Sequence, residues 1–208
     1  ILTHIRHSEK VFNMKRLLLI LILTLSFQSL TNADEINEIS IEGISVGDSA
    51  LKYFSKQDIK DNSWDYYKNK KFTPVQNKGF SFFKQYDAVD FDFKTNDKDY
   101  LIYSLSGVIF FKKEDIKKCF KMMNEIDIEI SKVLQTFKRS DKATWDHGLD
   151  PTGESKFTDI YYESESGTVT ITCYDYSEEQ IAKGLGNYLA VMISLNEWAN
   201  FMRSNPYK

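Results

Sequence analysis

Histidine, proline and cysteine are scarce in this chain of 208 residues, at three, three and two copies. Each shortage removes a class of chemistry. His4 and His7 fall in the first ten residues, so His147 stands alone in the remainder. A metal centre built on two or three imidazoles is therefore disfavoured, and no HExxH string occurs. Cys119 and Cys173 form no CxxC pair and have no nearby cue for a Cys-His nucleophile, so thiol redox and cysteine-protease chemistry are not expected. Walker A and GxGxxG strings are also missing, which argues against nucleotide chemistry. Basic surplus is lacking too, since the formal charge is −3. That sign opposes phosphate backbones and anionic membranes, and nucleic acid is not an expected partner. No apolar run approaches the roughly 20 helical residues that a bilayer core requires.

What is present begins with an export signature. Lys15 and Arg16 form a positive start, Leu17 to Phe27 an apolar run, and Thr31 and Ala33 a small-residue cleavage pattern. Residues 14–33 thus read as a signal peptide cut after Ala33. Residues 1–13, ILTHIRHSEKVFN, carry no apolar periodicity and read as a non-native upstream extension. No cysteine follows the apolar run to accept a lipid, so no stable membrane anchor is expected after processing. The expected location is periplasmic or secreted. Residues 34–208 are then one domain, and loss of four basic residues and one acid with the leader moves the charge from −3 to about −6.

Periodicity predicts the elements. Asp48 is placed to cap a short helix through "SALKYF", and Ser55 with Asp58 to start a second one. "KFTPV", "YDAVDFDF" and "YLIYSLSGVIFF" read as strands, the last two joined by the turn "TNDKD". In the second of these, Val89, Phe91 and Phe93 share one face and Asp90 and Asp92 the other, which is read as the wet side. A long helix follows, with Ile116, Phe120, Met123, Ile126, Ile130, Val133 and Phe137 at spacings of three and four. "FTDIYYES", "TVTITCYDY" and "NYLAVMISL" supply three more strands, and Ser194 with Glu197 a capping-box signature for a terminal helix. Segregated blocks of this kind predict α+β: an antiparallel sheet of five or six strands against one long helix, with short N-terminal helices and a C-terminal helix.

Three features bear on chemistry. Cys119 on the long helix and Cys173 on a strand both point toward one interior, where they either form a disulfide or pack as two buried thiols. The stretch Lys138 to Lys156 has no periodicity of its own and holds Asp146, His147, Asp150 and Glu154. These are weak candidates for a metal site or general base, set against a solvated turn bent by Pro151 and Gly153. "GISVG" at Gly43 to Gly47 matches GxSxG, but only about ten residues of the processed chain precede Ser45, too few for the sheet a nucleophile elbow needs, and the string reads as a turn before a helix.

The leader "MKRLLLILILTLS" and the blocks "IEGISVGDSALKYFS", "SLSGVIFF", "CFKMMNEI" and "TITCYDYS" resemble the small uncharacterised exported proteins of AT-rich marine alphaproteobacteria. The resemblance implies compartment and single-domain architecture and carries no activity. With no catalytic constellation and no cofactor expected, the first reading is a non-enzymatic module that binds a small ligand or an envelope protein. The second is a metal-assisted hydrolase using the 138–156 loop.

Overall fold

In the computed structural model, residues 36–78, 83–148 and 150–204 are described. The signal peptide and extension expected over 1–33 lie outside the described residues. A short helical turn at Ile36–Glu38 leads into a small hairpin of β1 (Ser40–Ile41) and β2 (Ile44–Ser45), turned through Glu42 and Gly43, both at positive φ. Ser45 of the GxSxG string is thus a strand residue. The helical turn at Ala50–Lys52 is capped by Ser49, whose hydroxyl accepts from the Leu51 N–H. Asp48, expected as that cap, instead accepts from the Ser45 N–H, the Tyr53 hydroxyl and the Lys52 ammonium. A reciprocal capping box between Ser55 and Asp58 starts α1 (Lys56–Asp61), as their spacing indicates.

The remaining elements are β3 (Phe72–Lys78), β4 (Ala88–Lys94), β5 (Ile102–Phe111), α2 (Ile116–Val133), β6 (Lys138–Arg139), β7 (Ala143–Asp146), β8 (Lys156–Glu163), β9 (Gly167–Asp175), α3 (Glu178–Ala182), β10 (Asn187–Leu195) and α4 (Asn196–Arg203). The fold is α+β, with an antiparallel eight-stranded sheet in the order β3-β4-β5-β10-β9-β8-β6 and β7 also pairing with β8. The six long strands are those that alternation marks out. The additional two, β6 and β7, come from the stretch that reads as an aperiodic loop; they are short and mostly exposed, so no apolar face betrays them.

One face of the sheet carries α2. Its buried residues are Cys119, Met123, Ile126 and Ile130, and they join Leu105, Val169, Ile171, Leu189 and Val191 in the main core. The stripe centres on Cys119, leaving Ile116, Phe120 and Val133 at its margins. Cys119 and Cys173 are disulfide-bonded, with Cα atoms 6.0 Å apart, so the helix is tied to β9 at the middle of the core. Gly107 of β5 is required by this packing, because a Cβ there would meet the Tyr86 ring at 2.5 Å.

The other face carries α4, whose Trp198 and Phe201 form a smaller cluster with Tyr67 and Phe72. The expected Ser194–Glu197 capping box is not formed. Leu195 occupies the cap position without a side-chain hydrogen bond, Ser194 belongs to β10 opposite Ser104, and Glu197 pairs with Lys71 and Lys94. Among the described residues, no helix is long and apolar enough to cross a membrane.

Candidate functional site

Period-two alternation on β4 directs Val89, Phe91 and Phe93 into the main core and Asp90 and Asp92 to the opposite face. That face is not the wet side that the sequence suggests. Trp198 of α4, the segment around Trp64 to Tyr67 and the loop at 184–186 stand over it and enclose a cleft of about 390 Å³. Asp92 is buried, and its Oδ1 accepts a 3.0 Å hydrogen bond from the Tyr67 hydroxyl. Asp90 accepts at Oδ2 from the Gln76 amide at 3.0 Å, while its Oδ1 is buried with no partner. The Trp198 indole N–H is likewise buried without a well-formed hydrogen bond, although it lies near enough to Asp92 to favour the ionised carboxyl.

Burial pushes both carboxyls up, because an ion in a poorly solvated site is disfavoured. Asp90 rises to about 6, with Gln76 and the Lys78 charge pulling the other way. Asp92 rises to about 7, despite the opposing Tyr67, Trp198 and Ser104 dipoles, and the Asp90 charge adds to the rise. Two raised carboxyls side by side in a cleft are a physical mark of a binding or reacting site.

The cleft runs into an aromatic ladder. Phe157, Tyr174, Tyr188 and Phe110 are direct cross-strand partners on β8, β9, β10 and β5. Their successive ring centroids are 6.0, 4.3 and 6.2 Å apart, with Tyr174 and Tyr188 stacked at 26°. Cross-strand pairing of this kind stiffens the sheet, and the Tyr188 and Phe110 end of the ladder lines the cleft. At the mouth, the Lys78 ammonium sits over the Phe110 ring, 5.4 Å from its centroid. Trp64 beside it is 53% exposed, so the opening is rimmed by large apolar surface in contact with solvent.

Asp146, His147 and Asp150 of the 138–156 stretch each engage a different set of partners. Asp146 pairs with Lys156. The His147 Nε2 lies 3.2 Å from the Tyr176 hydroxyl, and its ring packs against Phe157, Tyr174 and Tyr176. Burial lowers its pKa, with the Asp150 charge opposing. Asp150 accepts from the Ser155 hydroxyl and N–H, the Thr152 hydroxyl and N–H, and the Ser177 hydroxyl, and these bonds hold it far below the usual carboxylate range. Its place is that of an anchor tying the β7–β8 connection to the start of α3. Glu154 is exposed. Among the described residues, no group of three or more His, Cys, Asp and Glu side chains is arranged to hold a metal ion.

Sequence reasoning named Asp90 and Asp92 but assigned them to solvent. The aromatic walls carried the missing signal: Tyr174, Tyr188 and Phe110 occupy the face opposite the apolar stripe on three central strands. A face meant for water does not place large rings there. No protein-family model matches the chain, and no curated protein or solved structure is similar to it at a significant level.

Proposed function

We propose that this is an exported protein, periplasmic or secreted, that binds a small ligand in the cleft between the sheet and α4 without transforming it. The observation that carries the reading is Asp90: a carboxyl at the cleft with one oxygen buried and unpartnered, beside aromatic walls that are open at the rim. Buried polar groups are ordinarily satisfied, and an unsatisfied one costs about 1–3 kcal/mol, a cost that a donor brought by a ligand would offset. The volume of about 390 Å³ lies within the usual range for small-molecule sites. Export is supported by the charged and apolar pattern of residues 14–33 and by the buried disulfide, a bond that persists in oxidising compartments.

The test is native mass spectrometry of protein purified gently from its own host. Ser106 lines the cleft, and Ser106→Trp would fill it. A small-molecule adduct present on the wild-type protein and lost from Ser106→Trp supports the proposal. An adduct that survives in the filled variant, or none on either protein, overturns it.

A further inference from the structure

We propose that the cleft recognises the protonated primary amine of a small organic cation, the ammonium docking on Asp90 and the attached apolar group lying against Trp64, Tyr188 and Phe110; this rests on the cleft being a ligand site. Three observations converge. The acceptor capacity is in excess: Asp90 and Asp92 are both acceptors when ionised, and Asp90 retains an unpartnered oxygen. A neutral guest would leave that charge with only the Lys78 ammonium at the mouth to offset it, and an anion would be repelled. A primary ammonium brings both the charge and the N–H donors. Asp90 lines the cleft, and its Oδ2, which takes one hydrogen bond from Gln76, keeps a second lone pair for an incoming donor.

The second observation is that the chain already places a cation at the mouth. Lys78 lies over Phe110 at 5.4 Å and acts on Asp90 through its charge, yet forms no ion pair with it among the described contacts. The cleft therefore satisfies an ammonium–ring contact with its own side chain while leaving the carboxylate for another. The third is the wall itself. The rings of Tyr188, Phe110 and the exposed Trp64 line the cleft, and ring faces carry the negative quadrupole that attracts ammonium groups, an effect that grows as water is excluded. A quaternary ammonium would gain the rings but could not donate to Asp90, which is why a primary amine is assigned.

The groups that face Asp90 are Lys78 and Gln76 from β3, its strand neighbour Asp92, Ser104 and Ser106 from β5, and Tyr188 from β10. Of these, the carboxyls are the ones that change charge between pH 5 and 8. Ammonium affinity should accordingly rise with pH across that interval, while the amine of the probe stays protonated.

The experiment uses the processed, disulfide-intact protein and four probes matched in shape or polarity: phenethylammonium, 2-phenylethanol, phenylacetate and methyl glucoside. Binding is read from tryptophan fluorescence, since Trp64 and Trp198 line the cleft. Phenethylammonium should bind at least about tenfold more tightly than 2-phenylethanol at pH 8, and phenylacetate more weakly than either. Asp90→Asn, whose amide suits a site that already favours the uncharged carboxyl, should fold with unchanged circular dichroism and bring the amine and the alcohol to equal affinity. Lys78→Met should tighten the amine by removing a competing charge. Equal or tighter binding of the alcohol or the glucoside overturns the cation assignment but leaves the ligand-binding proposal standing. Absence of binding by all four at millimolar concentration, together with an adduct in native mass spectrometry, overturns the cation assignment alone. Absence of both overturns the two together.

Discussion

Asp92 is the residue at which the physics of this molecule is most exposed. Its carboxyl rises from the ordinary 3.8 to about 7, chiefly through burial. A folded-state pKa above the unfolded one means that the folded protein holds the proton more tightly. The stabilisation is complete below about pH 4 and is lost as pH rises through about 7. Asp90, raised to about 6, acts in the same direction. His147 acts in the opposite one, because its lowered pKa favours the folded state above its ordinary 6.5 and is lost as pH falls below it. Asp92→Asn isolates the first effect, since the other groups remain in both proteins and the amide oxygen still accepts from Tyr67. The variant should match wild type near pH 4 and exceed it at pH 8 by roughly 2 kcal/mol, below the full linkage value because water relaxes around a buried charge. Urea unfolding of both proteins at the two pH values checks this, and an equal difference at both would refute it. Asp90 and Asp92 were visible in the sequence as a pair on one strand face. Their burial was not, because it is set by Trp198 and Tyr67, which are 106 and 25 positions from Asp92 along the chain.

Among the elements, α4 shows which kind of contact dominates. Glu197 joins Lys71 and Lys94 in a three-residue ion network, and these pairs lower the Glu197 pKa. All three side chains are more than a third exposed, so screening leaves such pairs worth about 0–1 kcal/mol. Phe201, by contrast, is 4% exposed and packs on Phe72 and Tyr67 with centroids 4.9 and 5.0 Å away. Phe201→Ala should therefore destabilise by about 3–5 kcal/mol, whereas Glu197→Ala should stay within about 1 kcal/mol. Thermal melts of the two variants decide between packing and charge as the force that seats α4; comparable losses would reverse the ranking. The same helix marks a limit of reading by motif. Ser194 and Glu197 have capping-box spacing, but β10 keeps Ser194 in the ladder opposite Ser104, so strand pairing overrides the cap. β6 and β7 escaped for a related reason: their pairing with β8 needs no apolar alternation.

At the scale of the whole molecule, the sheet has two dissimilar faces, and they differed in legibility. The face under α2 is written in local code, with apolar residues at helical spacing on α2 and at alternate positions on β9 and β10, so α+β architecture and the approach of Cys119 to Cys173 could be read from the chain. The cleft face is assembled from β3, β4, β5, β10 and α4, and no local pattern announces a site gathered from so many segments. The disulfide joins the legible parts across a sequence separation of 54. A loop of that size gives roughly 4 kcal/mol in the chain-entropy account, acting mainly on the unfolded chain. Alanine is the better probe than serine here, because both sulfurs are fully buried and a hydroxyl would enter a dry core unpaired. Cys119→Ala and Cys173→Ala should each lower stability by several kcal/mol. The double variant should lose little beyond either single, since the first substitution already removes the bond and the second deletes only a packed sulfur. Wild-type protein unfolded with reductant should fall to the same level as the variants. Thiol counting on denatured, unreduced protein together with this cycle is decisive: two free thiols per chain and additive losses would mean that the cysteines contribute as packing alone, and that the helix and sheet hold their register without a covalent tie.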